Sequence, residues 1–250
     1  YIDVLKLKYW ETRFWKEADR VIAVSEADKI SMQKSVPGLK VDIIPNAPGD
    51  DLAALYNPEK RLAYKKPIIY YQSNFLWMQN VEGAIVLAKE VFPLIRKEYP
   101  GAICRIIGQN ARTNAHLKVD QLEGNGVEVI ELDKSDISGV VKAYEEGTIF
   151  VAPLHGPGGT RLKILGAMAA GVPVVTTQIG ARGLEVENGR DILIGNTPAE
   201  MAQLAIKLLK DKKLFKKIIV NAKDLIRRKY DWEVMSADLE KIYEETAKKS

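Results

Sequence analysis

Residues 150–175 read FVAPLHGPGGTRLKILGAMAAGVPVV, a pattern that predicts a strand, a glycine-rich turn and a helix in succession. The apolar run that ends at Leu154 predicts a buried strand, and the helix is expected at 160–170. In an open parallel sheet, ligands bind beyond the carboxyl ends of the strands. The free N–H groups at a helix start, with the positive end of its dipole, favour an anion there. This turn is therefore the candidate binding site.

Two basic residues, Arg161 and Lys163, fall in the first turn of this predicted helix. Cations there oppose the helix dipole, whereas acidic side chains would stabilise it. Beside Gly158, Gly159 and Thr160 they suggest a diphosphate held by N–H groups, the Thr160 hydroxyl and the two cations. A plain turn with two solvated basic side chains is the alternative. The spacing matches neither a Walker A loop nor the Gly-x-Gly-x-x-Gly fingerprint.

From Pro67 onward, short apolar strands alternate with helices. The predicted strands are 68–72, 102–108, 127–132, 149–154, 173–177 and 192–194, and the predicted helices are 81–98, 111–122, 137–146, 160–170 and 199–210. Several strands are continuous runs of Val and Ile, which is typical of a sheet covered on both faces. Alternation with short connections predicts parallel strands joined by right-handed crossovers. The expected fold class is α/β, with a doubly wound, Rossmann-like parallel sheet.

The N-terminal fifty residues differ from this alternating region. An aromatic-rich helix is predicted at 3–18 and strands at 21–24 and 41–44. Ser25 is expected to cap a helix between the two strands. Helix and strand breakers are dense at 45–51, which predicts an interdomain linker.

Composition excludes several classes of protein. The chain has 250 residues, of which 46% are hydrophobic and 28% charged, so it is globular rather than disordered. Its single cysteine, Cys104, excludes a disulfide framework and fits a reducing compartment such as the cytoplasm. Two histidines, His116 and His155, are too few for a histidine-built metal centre. No apolar run approaches the ~20 residues that a membrane span needs.

The charge of the chain is mildly positive. A formal net charge of +4 does not by itself indicate nucleic acid, and we expect no nucleic-acid partner. The most basic stretch, 207–229, predicts a solvated helix face over an apolar stripe, with a membrane-surface or nucleic-acid face as the alternative. The chain begins at Tyr1 without a methionine, which suggests a fragment of a longer protein.

The stretch 150–175 resembles the donor-binding signature of the group 1 retaining glycosyltransferases with the GT-B fold. The version it resembles runs Pro-Leu-x-x-Gly-Gly-Gly-Thr-Arg-Leu-Lys-Ile-Leu-Glu-Ala-Met-Ala-x-Gly-x-Pro-Val-Val. Further motifs of this family follow in the right order: VSEAD at 24–28, IIPN at 43–46, YQSNFLWMQN at 71–80, FPLI at 92–95, IIG at 106–108, IGARGL at 179–184 and YDW at 230–232. The resemblance covers nearly the whole chain.

This resemblance implies a layout of two Rossmann-like domains that face each other across a cleft. Residues 1–48 would be the tail of an N-terminal acceptor domain, 49–229 the nucleotide-sugar donor domain and 230–250 a helix that crosses back. Most of the acceptor domain would be absent, so this fragment is expected to be inactive by itself. No metal or other cofactor is expected.

The implied function is retaining transfer of a hexose from a UDP or GDP sugar to a glycan or lipid-linked acceptor, as in polysaccharide biosynthesis. The protein would be cytoplasmic, with peripheral contact at the inner membrane face as one option. A non-catalytic nucleotide-sugar-binding module is the alternative. A sugar-nucleotide epimerase would need acidic and histidine side chains clustered in the cleft, where the donor segment offers only His155.

Carried over position by position, the resemblance assigns roles to individual residues. Arg161 and Lys163 would neutralise the diphosphate and act as the catalytic residues, while Gly158, Gly159 and Thr160 would hold it. Further donor contacts are implied at Asn74, Gly108, Leu132, Asp133, His155 and Gly166. For His155, plain loop decoration is the alternative to contact with a sugar hydroxyl or a phosphate.

Gly166 departs from the family pattern, which has a glutamate there for the ribose hydroxyls. Such a carboxylate could contribute ~1.5–3 kcal/mol per hydrogen bond. Glycine inside a helix also costs about 1 kcal/mol relative to alanine. Three explanations are open: another group or water replaces the carboxylate, the donor site has weakened, or the helix packs so closely that only glycine fits.

Overall fold

The computed structural model describes residues 2–63, 65–113, 119–156 and 161–248. The chain divides into two compact units: one runs up to Ala47 and resumes at Arg228, and the other is Pro48–Arg227. The roles of the units as acceptor tail and donor domain remain predictions.

Helices and strands alternate along most of the chain. In chain order they are α1 (Ile2–Glu17), β1 (Val21–Ala23), α2 (Glu26–Ser35), β2 (Val41–Ile43), α3 (Asp50–Ala53), α4 (Pro58–Leu62), β3 (Ile68–Asn74), α5 (Met78–Val86), α6 (Phe92–Glu98), β4 (Ile103–Gln109), β5 (Val127–Glu131), α7 (Ile137–Glu146), β6 (Ile149–Ala152), α8 (Leu162–Ala169), β7 (Val174–Thr176), β8 (Leu193–Ile194), α9 (Pro198–Lys210), α10 (Lys212–Lys229) and α11 (Trp232–Ala247). Within the described residues, no helix is long and apolar enough to cross a membrane.

The smaller unit contains a parallel pair of strands, β1 and β2, in which Val21 lies opposite Val41. Val21, Ala23 and Val41 form its buried core. Ser25 caps α2 as expected, because its hydroxyl accepts a hydrogen bond from the backbone N–H of Asp28 at 3.2 Å. This cap satisfies one of the backbone donors that a helix start leaves unpaired.

The larger unit is built on a parallel six-stranded sheet with the strand order β5-β4-β3-β6-β7-β8. The predicted α/β fold with a parallel sheet is therefore confirmed. Tyr70 and Tyr71 of β3 and Phe150 of β6 are completely buried, as the continuous apolar runs indicated. The order reverses between β3 and β6, and in such folds the crevice beyond the carboxyl ends at this switch point is where ligands bind.

Two predicted helices differ from those observed. The helix predicted at 81–98 contains a π-helical turn, Leu87–Val91, between α5 and α6. Pro93 follows this turn, and having no N–H it cannot continue the regular hydrogen-bond ladder. The helix predicted at 111–122 is wrong in its described parts: 111–113 form a turn and Val119–Leu122 a 3₁₀ turn.

Arg61, from α4, forms hydrogen bonds with the ends of two helices that lie far from it in sequence. Its guanidinium donates to the carbonyl oxygens of Tyr144 (2.8 Å), Gly147 (2.6 Å) and Ala170 (2.7 Å), at the C-terminal ends of α7 and α8. Carbonyls at a helix end have no partner within the helix, and a cation there also complements the dipole. Arg61 thereby provides a donor for carbonyls at the ends of both helices.

Candidate functional site

The candidate site lies at the N-terminal end of α8, which follows β6 at the switch point. The helix begins at Leu162 rather than at Thr160, so Arg161 is its N-cap residue. Gly158, Gly159 and Thr160 lie outside the described residues, and their predicted role stays a prediction. Arg161 and Lys163 are both described, and their surroundings decide what the site can bind.

The Arg161 side chain is buried, with only 6% of its surface exposed. Its Nη2 donates to the carbonyl oxygen of Gly156 at 3.0 Å. Its buried Nε has no hydrogen-bond partner among the described residues. Burial lowers the pKa of the Arg161 guanidinium. A buried arginine with an unused donor is suited to an acceptor that arrives from outside.

Lys163 is turned towards β3 and α5. Its Nζ donates to Ser73 Oγ (2.5 Å), to Asn80 Oδ1 (2.8 Å) and to the Tyr71 hydroxyl oxygen (3.4 Å). The ammonium also lies 5.1 Å from the centre of the Tyr71 ring. Burial and the nearby charge of Arg161 lower the pKa of Lys163 to about 7. All three ammonium donors are directed at neutral groups.

Neither cation has a carboxylate partner in the described part of the chain. Arg161 bonds to a backbone carbonyl and Lys163 to two hydroxyls and an amide oxygen. Residues 157–160 are Pro, Gly, Gly and Thr, so they add no acidic side chain. A buried charge without a counter-ion costs free energy. The site is therefore electrostatically incomplete, and an anion would complete it.

The low pKa of Lys163 predicts how stability depends on pH. In the unfolded chain the lysine keeps its ordinary pKa of 10.5. Between pH about 7 and 10.5 the unfolded state therefore binds a proton that the folded state has released. The free energy of unfolding should rise with pH across this window, by up to about 1.4 kcal/mol per pH unit.

This slope is measured by urea denaturation at several pH values, with Lys163→Met as the comparison. The variant should lack the contribution, because it has no proton to exchange at this position. Lys213→Met, which removes an exposed lysine, should keep the wild-type slope. Equal slopes in wild type and Lys163→Met would show that Lys163 titrates normally.

A polar network lies at the carboxyl ends of β3, β4 and β5. Asn74 Oδ1 accepts from the side chain of Asn110 at 2.9 Å, and Asn74 Nδ2 donates to Gln109 Oε1 at 3.1 Å. Glu131 accepts from the Asn110 N–H (3.1 Å) and the Thr113 hydroxyl (3.0 Å). The Asn74 side chain thus holds the loop after β4, and the predicted phosphate contact by Asn74 stays a prediction.

Gly108 allows β4 to approach β3 closely near its carboxyl end. Its φ is +145°, and a Cβ there would lie 1.8 Å from the carbonyl oxygen of Ser73, its partner in the sheet. Its own carbonyl accepts from the N–H of Leu132 at 3.0 Å. Gly108 is therefore required by the sheet itself, whatever its contact with a ligand.

Three further residues were predicted to contact the donor: Leu132, Asp133 and His155. Within the described residues, none of them forms a hydrogen bond or ion pair with Arg161 or Lys163. Leu132 is buried. Asp133 accepts from the backbone N–H (3.0 Å) and hydroxyl (2.7 Å) of Ser135, and these hydrogen bonds lower the pKa of its carboxyl group. The His155 side chain is exposed. Their predicted contacts with a donor stay predictions.

Gly166 is enclosed by two side chains from distant parts of the sequence. A Cβ at this position would lie 2.9 Å from the Tyr144 hydroxyl oxygen and 3.0 Å from Leu52 Cδ1. The Tyr144 hydroxyl donates to the carbonyl oxygen of Lys163 at 3.3 Å, and both enclosing residues are buried. This is the arrangement that the close-packing explanation of Gly166 requires.

Sequence reasoning missed the residues that hold Lys163. Ser73 and Asn80 fall inside the motif 71–80, where the sequence predicts a donor contact for Asn74 but none for these two residues. The available signal was the change from an apolar run to polar residues where β3 ends, since side chains at that edge face the ligand crevice. Their partner, Lys163, lies 83 and 90 positions away in the sequence, so no local pattern identifies it.

Comparison with known proteins was made for sequence and for structure. An uncharacterised 44.6 kDa protein in the cps region of Klebsiella pneumoniae is 28% identical over 167 residues, which cover 65% of this chain and 42% of that protein. A glycosyltransferase from Rickettsia africae has a similar structure, with a TM-score of 0.77 at 20% identity over 97% of this chain and 67% of the other. Anabaena HepE, solved with UDP and glucose, has a TM-score of 0.68 at 15% identity over 91% and 63%.

The chain thus spans less than half the length of the two curated relatives with 28% and 26% identity. At these identities the structural neighbours establish the shared GT-B fold. The family model described as "Glycosyl transferases group 1" matches residues 66–211, which contain the sheet, Arg161 and Lys163. The family resemblance is confirmed, and the chain belongs to the group 1 glycosyl transferases.

Proposed function

We propose that this chain is the donor-binding part of an enzyme that transfers a hexose, with retention, from a nucleoside diphosphate sugar to an acceptor. One observation carries the proposal: Arg161 is buried and Lys163 partly buried at a helix start, the charge of Arg161 lowers the pKa of Lys163, and neither cation has a carboxylate partner among the described residues. A diphosphate supplies the charge that this pair lacks. HepE, a structural neighbour, was solved with UDP, which supports a nucleotide of this kind.

In the proposed reaction, the main task of the donor-binding residues is electrostatic stabilisation of the leaving diphosphate. When the bond between the sugar and the diphosphate breaks, negative charge develops on the leaving oxygen. Arg161, with its unused Nε, and the N-terminal end of α8 would stabilise that charge without a metal ion. Lys163 would add its charge from its position between Ser73 and Asn80.

The acceptor remains a proposal about the whole protein. A glycan or a lipid-linked sugar would be met by residues outside this chain. For a lipid-linked acceptor, the protein would work in the cytoplasm at the inner membrane face. The exposed lysines along α10, among them Lys212, Lys213, Lys216 and Lys217, support contact with an anionic surface.

A second candidate is a nucleotide-sugar-binding module without turnover. The packing around Gly166 favours it, because Tyr144 and Leu52 fill the space that a ribose-binding glutamate would enter. The two candidates differ in one observable, which is release of free sugar from a bound nucleotide sugar in the full-length protein. Binding without hydrolysis or transfer supports the module.

Both candidate functions require nucleotide binding at this site, and calorimetry with UDP and GDP tests that requirement. Arg161→Gln keeps polarity but removes the charge, and we expect it to weaken nucleotide binding at least about tenfold, as loss of a charge-assisted contact does. Turnover of the full-length protein should fall by at least about tenfold.

The matched control is Arg227→Gln, which removes an exposed arginine of α10 that pairs with Asp224 at 3.5 Å. It should bind nucleotide as the wild type does. Wild-type affinity in Arg161→Gln, or no binding of either nucleotide by the wild type, would reject the proposed site.

A further inference from the structure

We propose that Ser73 and Asn80 are positioning residues of the donor site, which act through Lys163 by holding its ammonium group charged and in one orientation beside Arg161. This inference rests on the proposed function, since it concerns how the same site keeps its second cation ready for a diphosphate. Neither residue is expected to touch the donor.

The geometry supports this role. Ser73 is in β3 and Asn80 in α5, and their oxygen atoms lie 2.5 and 2.8 Å from Lys163 Nζ. Lys163 is two residues beyond the N-cap of α8, so these contacts tie the start of that helix to the two preceding elements. The charged form of a buried lysine is disfavoured unless acceptors surround it. Ser73 and Asn80 provide two of its three acceptors.

The other groups that face Lys163 do not compensate its charge. Tyr71 is fully buried, and burial raises the pKa of its hydroxyl well above the usual range, so it stays neutral. Arg161 is a cation and lowers the pKa of Lys163. Removal of Ser73 Oγ or Asn80 Oδ1 must therefore shift Lys163 towards the neutral form.

Asn80 is itself held in place by the end of β3. Its Nδ2 donates to the carbonyl oxygen of Asn74 at 2.7 Å, which orients Oδ1 towards Lys163. Asn74 therefore has two structural roles. The side chain of Asn74 fixes the loop after β4, and its backbone orients the acceptor of the lysine.

The test compares UDP binding by Ser73→Ala and Asn80→Leu with that of the wild type at pH 6 and pH 8. At pH 8 both variants should bind about tenfold more weakly, because a pKa lowered by one unit reduces the charged fraction about tenfold. At pH 6 the loss should shrink to less than about threefold, since protonation restores the cation. The ratio to wild type removes the titration of UDP itself.

Three comparisons separate positioning from a general structural effect. Ser73→Thr keeps the hydroxyl and should retain most of the affinity. Combining Ser73→Ala with Lys163→Met should add no further loss to that of Lys163→Met. Ser138→Ala and Asn221→Leu, matched changes at side chains bonded elsewhere, should show no pH-dependent loss.

A measurement without ligand completes the design. In an NMR titration of the free chain, the Lys163 ¹³Cε resonance, assigned by its absence in Lys163→Met, should show its midpoint at lower pH in both variants. If the wild type binds UDP but the midpoint does not move and the loss is equal at pH 6 and 8, the positioning role is refuted while the proposed function stands. If the wild type binds no UDP and Arg161→Gln changes nothing, both fail.

Discussion

Gly108→Ala should destabilise the protein by about 4 kcal/mol or more, a cost in the exceptional range for one substitution. The added methyl carbon would lie 1.8 Å from the Ser73 carbonyl oxygen and 2.8 Å from its carbonyl carbon. Both are backbone atoms of the central strand, so no side-chain rotation relieves the overlap. β3 and β4 must separate at their carboxyl ends, and Ser73 must then leave Lys163.

Urea denaturation measures this cost, and Gly124→Ala is the matched control. Gly124 also has a positive φ, +117°, but a Cβ there would meet nothing within 4 Å. Its substitution should cost only the backbone strain, about 1–2 kcal/mol. The difference between the losses of unfolding free energy in Gly108→Ala and Gly124→Ala measures the effect of the close approach of β3 and β4. Equal costs would mean that backbone strain alone explains Gly108.

Gly166→Glu should cost about 3 kcal/mol or more and should not tighten nucleotide binding. Its Cβ would overlap the Tyr144 hydroxyl, and its carboxylate would enter space bounded by Leu52. Overpacking costs about 1–3 kcal/mol, and a carboxylate without a partner adds a desolvation cost. Denaturation and UDP calorimetry on the same variant give both quantities.

Gly166→Ala, alone and combined with Tyr144→Phe, identifies the source of that cost. Alanine contributes about 1 kcal/mol of helix propensity, which the overlap with Tyr144 offsets. Tyr144→Phe removes the nearest atom, so alanine at 166 should cost less in that background, with a coupling of about 0.5 kcal/mol or more. Tighter UDP binding by Gly166→Glu at unchanged stability would instead support a ribose-binding carboxylate.

The parallel sheet was predictable because its strands are continuous apolar runs, and burial on both faces needs nothing beyond local composition. The helix predicted at 111–122 failed for a non-local reason. Glu131, from the next strand, accepts hydrogen bonds from the N–H of Asn110 and the hydroxyl of Thr113, so residues 110–113 bond to β5 and do not begin a helix.

The candidate site was predictable in part. The glycine-rich turn and the two basic residues indicate an anion from local rules alone. The inward direction of Lys163 depends on Ser73 and Asn80, 90 and 83 positions away, and no local pattern contains that contact. The three explanations for Gly166 likewise needed the positions of Tyr144 and Leu52.

The contacts of Arg61 show that the region matched by a family model and the compact unit of the structure can have different limits. The family match begins at residue 66, five positions after Arg61, yet this guanidinium closes loops of 83 to 109 residues within the larger unit. Closing loops of this length costs conformational entropy, which the contacts between the joined segments must offset. The stretch before β3 therefore belongs to the same compact unit as the sheet, although the family match does not include it.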